Sequence, residues 1–142
     1  MSVALFGSAV FFNRYLGIAL ALAAMAVSDA LMGWHSTLPY VYGAMVLTGL
    51  MGFLLREKRS LPKIVAVTLT SSVLFFVVTN LGVFIAQDMY PKTFAGLGTC
   101  FAMALPFFKN SIAGDFLFTA VLFSLHYLFH SRTQNAELAK AA

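Results

Sequence analysis

The chain has 142 residues, 61% of them hydrophobic and only 10% charged, with a net charge of +4. A soluble domain carries about 25% charged residues, so this composition excludes a water-facing fold and requires lipid around the chain. A spanning helix needs about 20 apolar residues, which caps the count at five or six crossings and leaves no room for a second, soluble domain.

The positive charge is that of cytoplasmic loops held in place by Lys and Arg. No basic face with interleaved aromatics lies outside the apolar runs, so nucleic acid is not an expected partner. The single cysteine, Cys100, sits inside an apolar run. It excludes an intramolecular disulfide and a cysteine-rich metal site.

The expected elements run as follows. Val3 to Phe12 is apolar but about half a span long, and it lacks the basic start and cleavage site of a signal peptide. The chain is therefore expected to begin in mid-bundle, with its first segment short or an upstream helix missing. Tyr15 to Gly33 is long enough to span, and Ala19, Ala23, Ala26 and Ala30 share one of its faces. Tyr40 to Leu55 follows, with Gly49 and Gly52 near its end. The clearest loop runs from Arg56 to Lys63, and Ile64 to Ala86 is the next span. Gln87 to Thr93 forms a second polar loop. Phe94 to Phe108 is short and interrupted by Pro106, and Ser111 to Phe129 is the last span. Residues 1–130 read as one transmembrane domain, and 131–142 as a polar, frayed cytoplasmic tail.

Charge sets the expected topology. If Phe94 to Phe108 is a half-helix entering and leaving on the outer side, Arg14, Arg56, Lys58, Arg59, Lys63, Arg132 and Lys140 all lie inside. If it spans, Arg132 and Lys140 move outside and Lys109 moves in. The positive-inside rule favours the half-helix. The expected architecture is an all-α integral membrane helix bundle of five spans plus an outer-side half-helix. Irregular backbone at membrane depth requires protein or water around it, so the Pro106 break points to an outer cavity.

Several polar residues are candidates for chemistry. Asp29 is a carboxylate near the outer end of a span, where charge is costly and suggests function. Water or Lys109 at the interface would serve it equally. Asn80, inside a span, either reads a ligand or bonds a neighbouring helix. Asp115 follows Gly114 and either answers a helix dipole or holds a ligand. Asp115, Thr119, Leu122 and His126 share a face, which predicts a partly polar stripe turned inward. Trp34 and His35 form either a lid or an interfacial anchor. His126 and His130 have the spacing of a metal pair but no acidic companion, so an interfacial role is expected and no metal. The alanine face and the Gly49–Gly52 pair allow close helix approach, within the chain or to a partner membrane protein. No nucleophile with a neighbouring base, phosphate loop or zinc motif is present, so no enzyme activity and no cofactor are expected.

The stretch Val77-Val78-Thr79-Asn80-Leu81-Gly82-Val83, then Tyr90-Pro91-Lys92-Thr93, Ala104-Leu105-Pro106-Phe107-Phe108-Lys109-Asn110 and Gly114-Asp115, forms a pattern. Ala4-Leu5-Phe6-Gly7 and Ser28-Asp29-Ala30-Leu31-Met32-Gly33 extend it upstream. Together they resemble a bacterial family of uncharacterised membrane proteins. That family is similar to the substrate-binding S components of energy-coupling-factor (ECF) vitamin transporters. Leu105-Pro106-Phe107 and Gly114-Asp115 are similar to a pattern of the biotin-specific S components, with a longer spacing here. The resemblance implies six helices with both ends cytoplasmic, which this chain matches once a first helix is added. It also implies a ligand-holding role for Asp115, and partners in the form of a transmembrane coupling subunit and ATPases. The expected function is capture of a small vitamin-like molecule at the outer side of the bacterial inner membrane. The expected lining is Asp29, Trp34, Asn80, Tyr90, Asn110 and Asp115. The alternative is an accessory structural subunit of a larger membrane complex.

Overall fold

Lipid offers no hydrogen-bond partner to a backbone, so each apolar segment has to satisfy its own N–H and C=O groups and becomes a helix. The computed structural model describes the backbone of residues 1–33, 35–57 and 60–141, and side chains to residue 129 except those of Arg14 and Met32. Five α-helices follow one another in it. They are α1 (Ser2–Val10), α2 (Arg14–Met32), α3 (Leu38–Met51, continued by a 3₁₀ turn at Gly52–Leu55), α4 (Leu61–Ala86) and α5 (Phe94–Ala141). No strand occurs among the described residues.

The breaks fall where local chemistry ends a helix. Asn13 caps α2, its Oδ1 accepting from the Tyr15 N–H at 3.0 Å. Gly33 closes the same helix at φ +101°, in the region that favours glycine, with its N–H on the Asp29 carbonyl at 2.8 Å. Pro39 and Pro62 lie in the first turns of α3 and α4, where a missing N–H is harmless. Lys92 turns its ammonium back onto the carbonyls of Phe84, Ile85 and Gln87 and covers the end of α4.

Three helices are long and apolar enough to cross a membrane: Leu38–Leu55, Leu61–Ala86 and Phe94–Phe129. The apolar part of α2, Tyr15–Leu31, is shorter. The outer surface is apolar as well, with Leu20, Val27 and Leu31 on α2 and Leu117, Phe118 and Leu128 on α5 exposed. Such a surface is that of a membrane protein. Successive helices alternate in direction, so Arg14, Arg56 and Lys63 gather at one end of the bundle.

The nine-residue α1 is about 13 Å long and is buried on most of its surface. It packs against α2, α3, the 3₁₀ turn and α5. Ala4 and Ser8 are fully buried, and Leu5 and Ala9 nearly so. Leu5 and Ala9 form the apolar core with Leu55 and Val67. Glycines permit the approach. A methyl group on Gly7 would come within 2.6 Å of the Gly17 Cα, and one on Gly17 would overlap the Gly7 and Ser8 backbone. One on Gly52 would overlap the Leu5 carbonyl. At the C-terminal end of α1, Arg56 donates to the carbonyls of Ser8 at 3.2 Å and Phe11 at 3.0 Å, satisfying groups that a helix end leaves open.

The half-helix and the frayed tail are corrected, and one open alternative is narrowed. The segment Phe94 to Phe108 is not a separate half-helix: α5 runs unbroken through Pro106. A proline removes one backbone hydrogen bond. A loop at membrane depth would strand several backbone groups, each costing several kcal/mol in lipid. The Pro106 side chain is exposed. The helix also continues through the expected frayed tail to Ala141. Of the two readings of the alanine face, packing within the chain is not the one found: Ala19, Ala23, Ala26 and Ala30 are all exposed. The packed face of α2 carries Gly17, Ile18, Ala21 and Asp29 instead, because the Gly7–Gly17 crossing fixes the rotation of the helix. The Gly49–Gly52 pair does pack within the chain, against Ile18 and α1 respectively.

Gly17→Val is expected to lower stability by at least about 1–3 kcal/mol, the usual cost of overpacking. Gly98→Ala, where a methyl group meets nothing within 4 Å, should be neutral or stabilising by up to about 1 kcal/mol. Thermal unfolding of both variants in detergent checks the pair.

Candidate functional site

Polar side chains inside this bundle converge where α1, α4 and α5 meet. Ser72 lies near the middle of the 26-residue α4. Its hydroxyl lies 3.0 Å from the Asp115 Oδ2 on α5 and 3.0 Å from the Thr68 carbonyl one turn back. From α1, the Ser2 hydroxyl lies 3.1 Å from the Asp115 Oδ1 and 3.1 Å from the Asp115 main-chain oxygen. The amino nitrogen of Met1 stands 3.9 Å from Oδ1. The carboxylate thus bridges three helices, and two hydroxyl donors offset the cost of holding it at membrane depth.

Beside Ser72 opens a cleft of about 290 Å³ between α4 and α5. Its walls are Phe75, Phe76, Phe107 and Phe108, with Thr79, Asn80 and Ser111 as polar lining. Phe76 stacks on Phe108 with ring centres 4.2 Å apart and meets Phe101 edge-on at 5.5 Å. Asn80 donates from Nδ2 to the Phe76 carbonyl at 2.7 Å. Cys100 is buried and its Sγ lies 3.7 Å from the Asn80 carbonyl. Aromatic walls with a few fixed polar groups are what small-molecule sites require. A larger groove of about 550 Å³ opens at the basic end, lined by Leu61, Ile64, Phe123, His126 and Tyr127. It lacks the buried polar set, so the smaller cleft is the better candidate.

Of the residues singled out in the sequence, Asn80 lines this cleft and Asp115 lies beneath it through Ser72. The inward stripe on α5 is present: Thr119 is buried, and His126 meets the Phe6 ring edge-on at 6.0 Å. Asp29 is elsewhere. It is buried at the end of α2, its Oδ2 accepts from the Tyr42 hydroxyl of α3 at 2.8 Å, and its Oδ1 has no partner. Its partner is therefore Tyr42 and not Lys109. Tyr90 is half-buried in the loop before α5, and Asn110 is exposed on α5; neither lines the cleft. Trp34 lies outside the described residues, as does the side chain of His130.

Ser2, Ser72, Thr68 and the phenylalanine walls escape a reading that looks for charge. The available signal was Thr68 and Ser72 at i and i+4 in an apolar helix, two hydroxyls on one face.

Comparison with known proteins places the chain in a family. Residues 1–138 match the model described as a family of unknown function (DUF6580), and the chain belongs to that family. No curated protein and no solved structure matches it.

Ser72→Ala should remove the Oδ2 donor and leave a buried carboxylate oxygen unpaired. A loss of about 1–3 kcal/mol in stability is expected, read by thermal unfolding, whereas Ser72→Thr retains the hydroxyl and should lose less.

Proposed function

We propose that this member of the DUF6580 family captures a small, vitamin-like molecule in the cleft between α4 and α5, as the substrate-binding subunit of an ECF-type transporter. The observation that supports this reading is the cleft itself. Four phenylalanines wall it, Asn80 and Ser111 line it, and the Ser72–Asp115 pair closes its floor. Its volume of about 290 Å³ is near the lower end of small-molecule sites, which begin at about 300 Å³. The resemblance of Leu105-Pro106-Phe107 and Gly114-Asp115 to S components adds to it.

The orientation agrees. Under the positive-inside rule the end carrying Arg14, Arg56 and Lys63 faces the cytoplasm. From Ser72 the cleft runs along α4 toward Asn80, away from that end, and so lies in the outer half. In this reading the membrane is the bacterial inner membrane. The sequence has no phosphate-binding loop, so ATP hydrolysis comes from separate ATPases through a transmembrane coupling subunit.

A second reading, an accessory subunit of a larger membrane complex, is favoured by one observation. Ala19, Ala23, Ala26 and Ala30 form an exposed small-residue stripe on α2, the kind of face that lets another helix approach closely.

Native mass spectrometry of the protein gently extracted from its own membrane separates the two. A retained small molecule, or copurified ATPases, is the expected result. An empty chain locked into an unrelated complex would establish the second reading. With the ligand in hand, Asn80→Ala and Phe108→Ala should each weaken binding by about tenfold or more, the equivalent of about 1.4 kcal/mol. Asn110→Ala should leave affinity unchanged.

A further inference from the structure

Beneath the cleft lies a small, partly open cavity of about 10 Å³, where Met1, Ser2, Thr68, Ser72, Asp115 and Thr119 meet. It has the volume of roughly one water-sized sphere. Its walls are two i, i+4 pairs on facing helices, Thr68 with Ser72 on α4 and Asp115 with Thr119 on α5, with Ser2 of α1 as a fifth oxygen. We propose that it is a binding site for one Na⁺ ion.

Three observations carry this. Thr68 and Thr119 are each only 3% exposed, and the hydroxyl oxygens of both lack any hydrogen-bond partner. Ser8 Oγ is the one other buried hydroxyl in that state among the described residues. Thr70, Ser72, Thr79 and Thr99 all reach the carbonyl four residues back, at 2.8–3.0 Å. A buried hydroxyl without a partner is costly, and both of these border the same small cavity. The next observation is the ligand set: one carboxylate and four hydroxyls, all hard oxygens. Such a set suits a hard cation, and a single negative charge balances a monovalent ion better than Ca²⁺. The last is that the proton traffic is already arranged. Ser72 and Ser2 each lie within reach of both the carboxylate and a main-chain carbonyl. Both hydroxyl protons can turn to those carbonyls, leaving lone pairs and Asp115 to face the ion. Among the described residues no Lys or Arg side chain pairs with Asp115. The Met1 amino group, which also lines the cavity, is ion-paired with Oδ1 at 3.9 Å, so an entering ion takes the Oδ2 side or displaces it. Of the hydroxyls, Ser72 already stands at Oδ2, at 3.0 Å.

This site does not depend on the cleft holding a substrate. The test is thermal unfolding of the purified protein in detergent, with NaCl exchanged for choline chloride or KCl at constant ionic strength. Na⁺ should raise the midpoint saturably, by about 5 °C once well above its dissociation constant. K⁺, too large for the cavity, should do so less. Thr119→Val, which keeps the volume but removes the oxygen, and Asp115→Asn should abolish the shift. Thr119→Ser should retain it, as should Asn80→Ala, which alters only the cleft above. Retention of ²²Na⁺ by the unmutated protein, displaced by unlabelled Na⁺, gives a readout that needs no variant. Equal midpoints in Na⁺ and choline together with no ²²Na⁺ retention would mean that the cavity holds a water only, and would overturn the proposal.

Discussion

A nine-residue helix is too short to cross a bilayer, and both its ends expose backbone groups that lipid cannot satisfy. α1 is held by the rest of the chain, which buries Ala4, Leu5, Ser8 and Ala9. Gly7 and Gly17 let α2 cross it at backbone contact, Gly52 admits the turn after α3, and Arg56 supplies donors to its last carbonyls. Its other end brings Ser2 to Asp115. The rotation of α2, the seating of α3 and the third side of the buried carboxylate all follow from closing around this one short element.

The same constraint governs the polar residues. In an apolar bundle a hydroxyl ordinarily bonds its own helix one turn back, as Thr70, Thr79 and Thr99 do here. Such residues report nothing about function. The informative ones break that habit: Ser72 and Ser2 reach Asp115, while Thr68 and Thr119 reach nothing. Asp115 and Asn80 become parts of one region because α4 and α5 lie side by side. Asp29, also buried, is held by Tyr42 of α3 and takes no part in that region.

Much of this was legible in the residues. Asn13, Gly33, Pro39 and Pro62 carry the local chemistry that starts or stops helices, so the boundaries of α1 to α4 fall within a few residues of those read from hydropathy. The inward stripe of Asp115, Thr119 and His126 follows from helical spacing alone. Pro106 did not follow, because a proline in an apolar helix is a break or a tolerated gap depending on what surrounds it. Which way the alanine stripe of α2 faces did not follow either. Small residues allow close packing but do not require it, and here a single glycine crossing turned that stripe outward.

What the sequence by itself determined is the solvent: with so few charges and such long apolar runs, only a helical bundle in lipid can satisfy both surface and backbone. It also determined which end gathers the basic residues, and that Asp29, Asn80 and Asp115 carry the cost of buried polarity. Only the tertiary structure decided which of them act together. Hydropathy measures what a segment avoids and is blind to what it meets. The cleft of Phe76, Asn80 and Phe108, and the ring of hydroxyls under it, depend on the rotation and depth of three helices, which packing contacts between residues distant in sequence set.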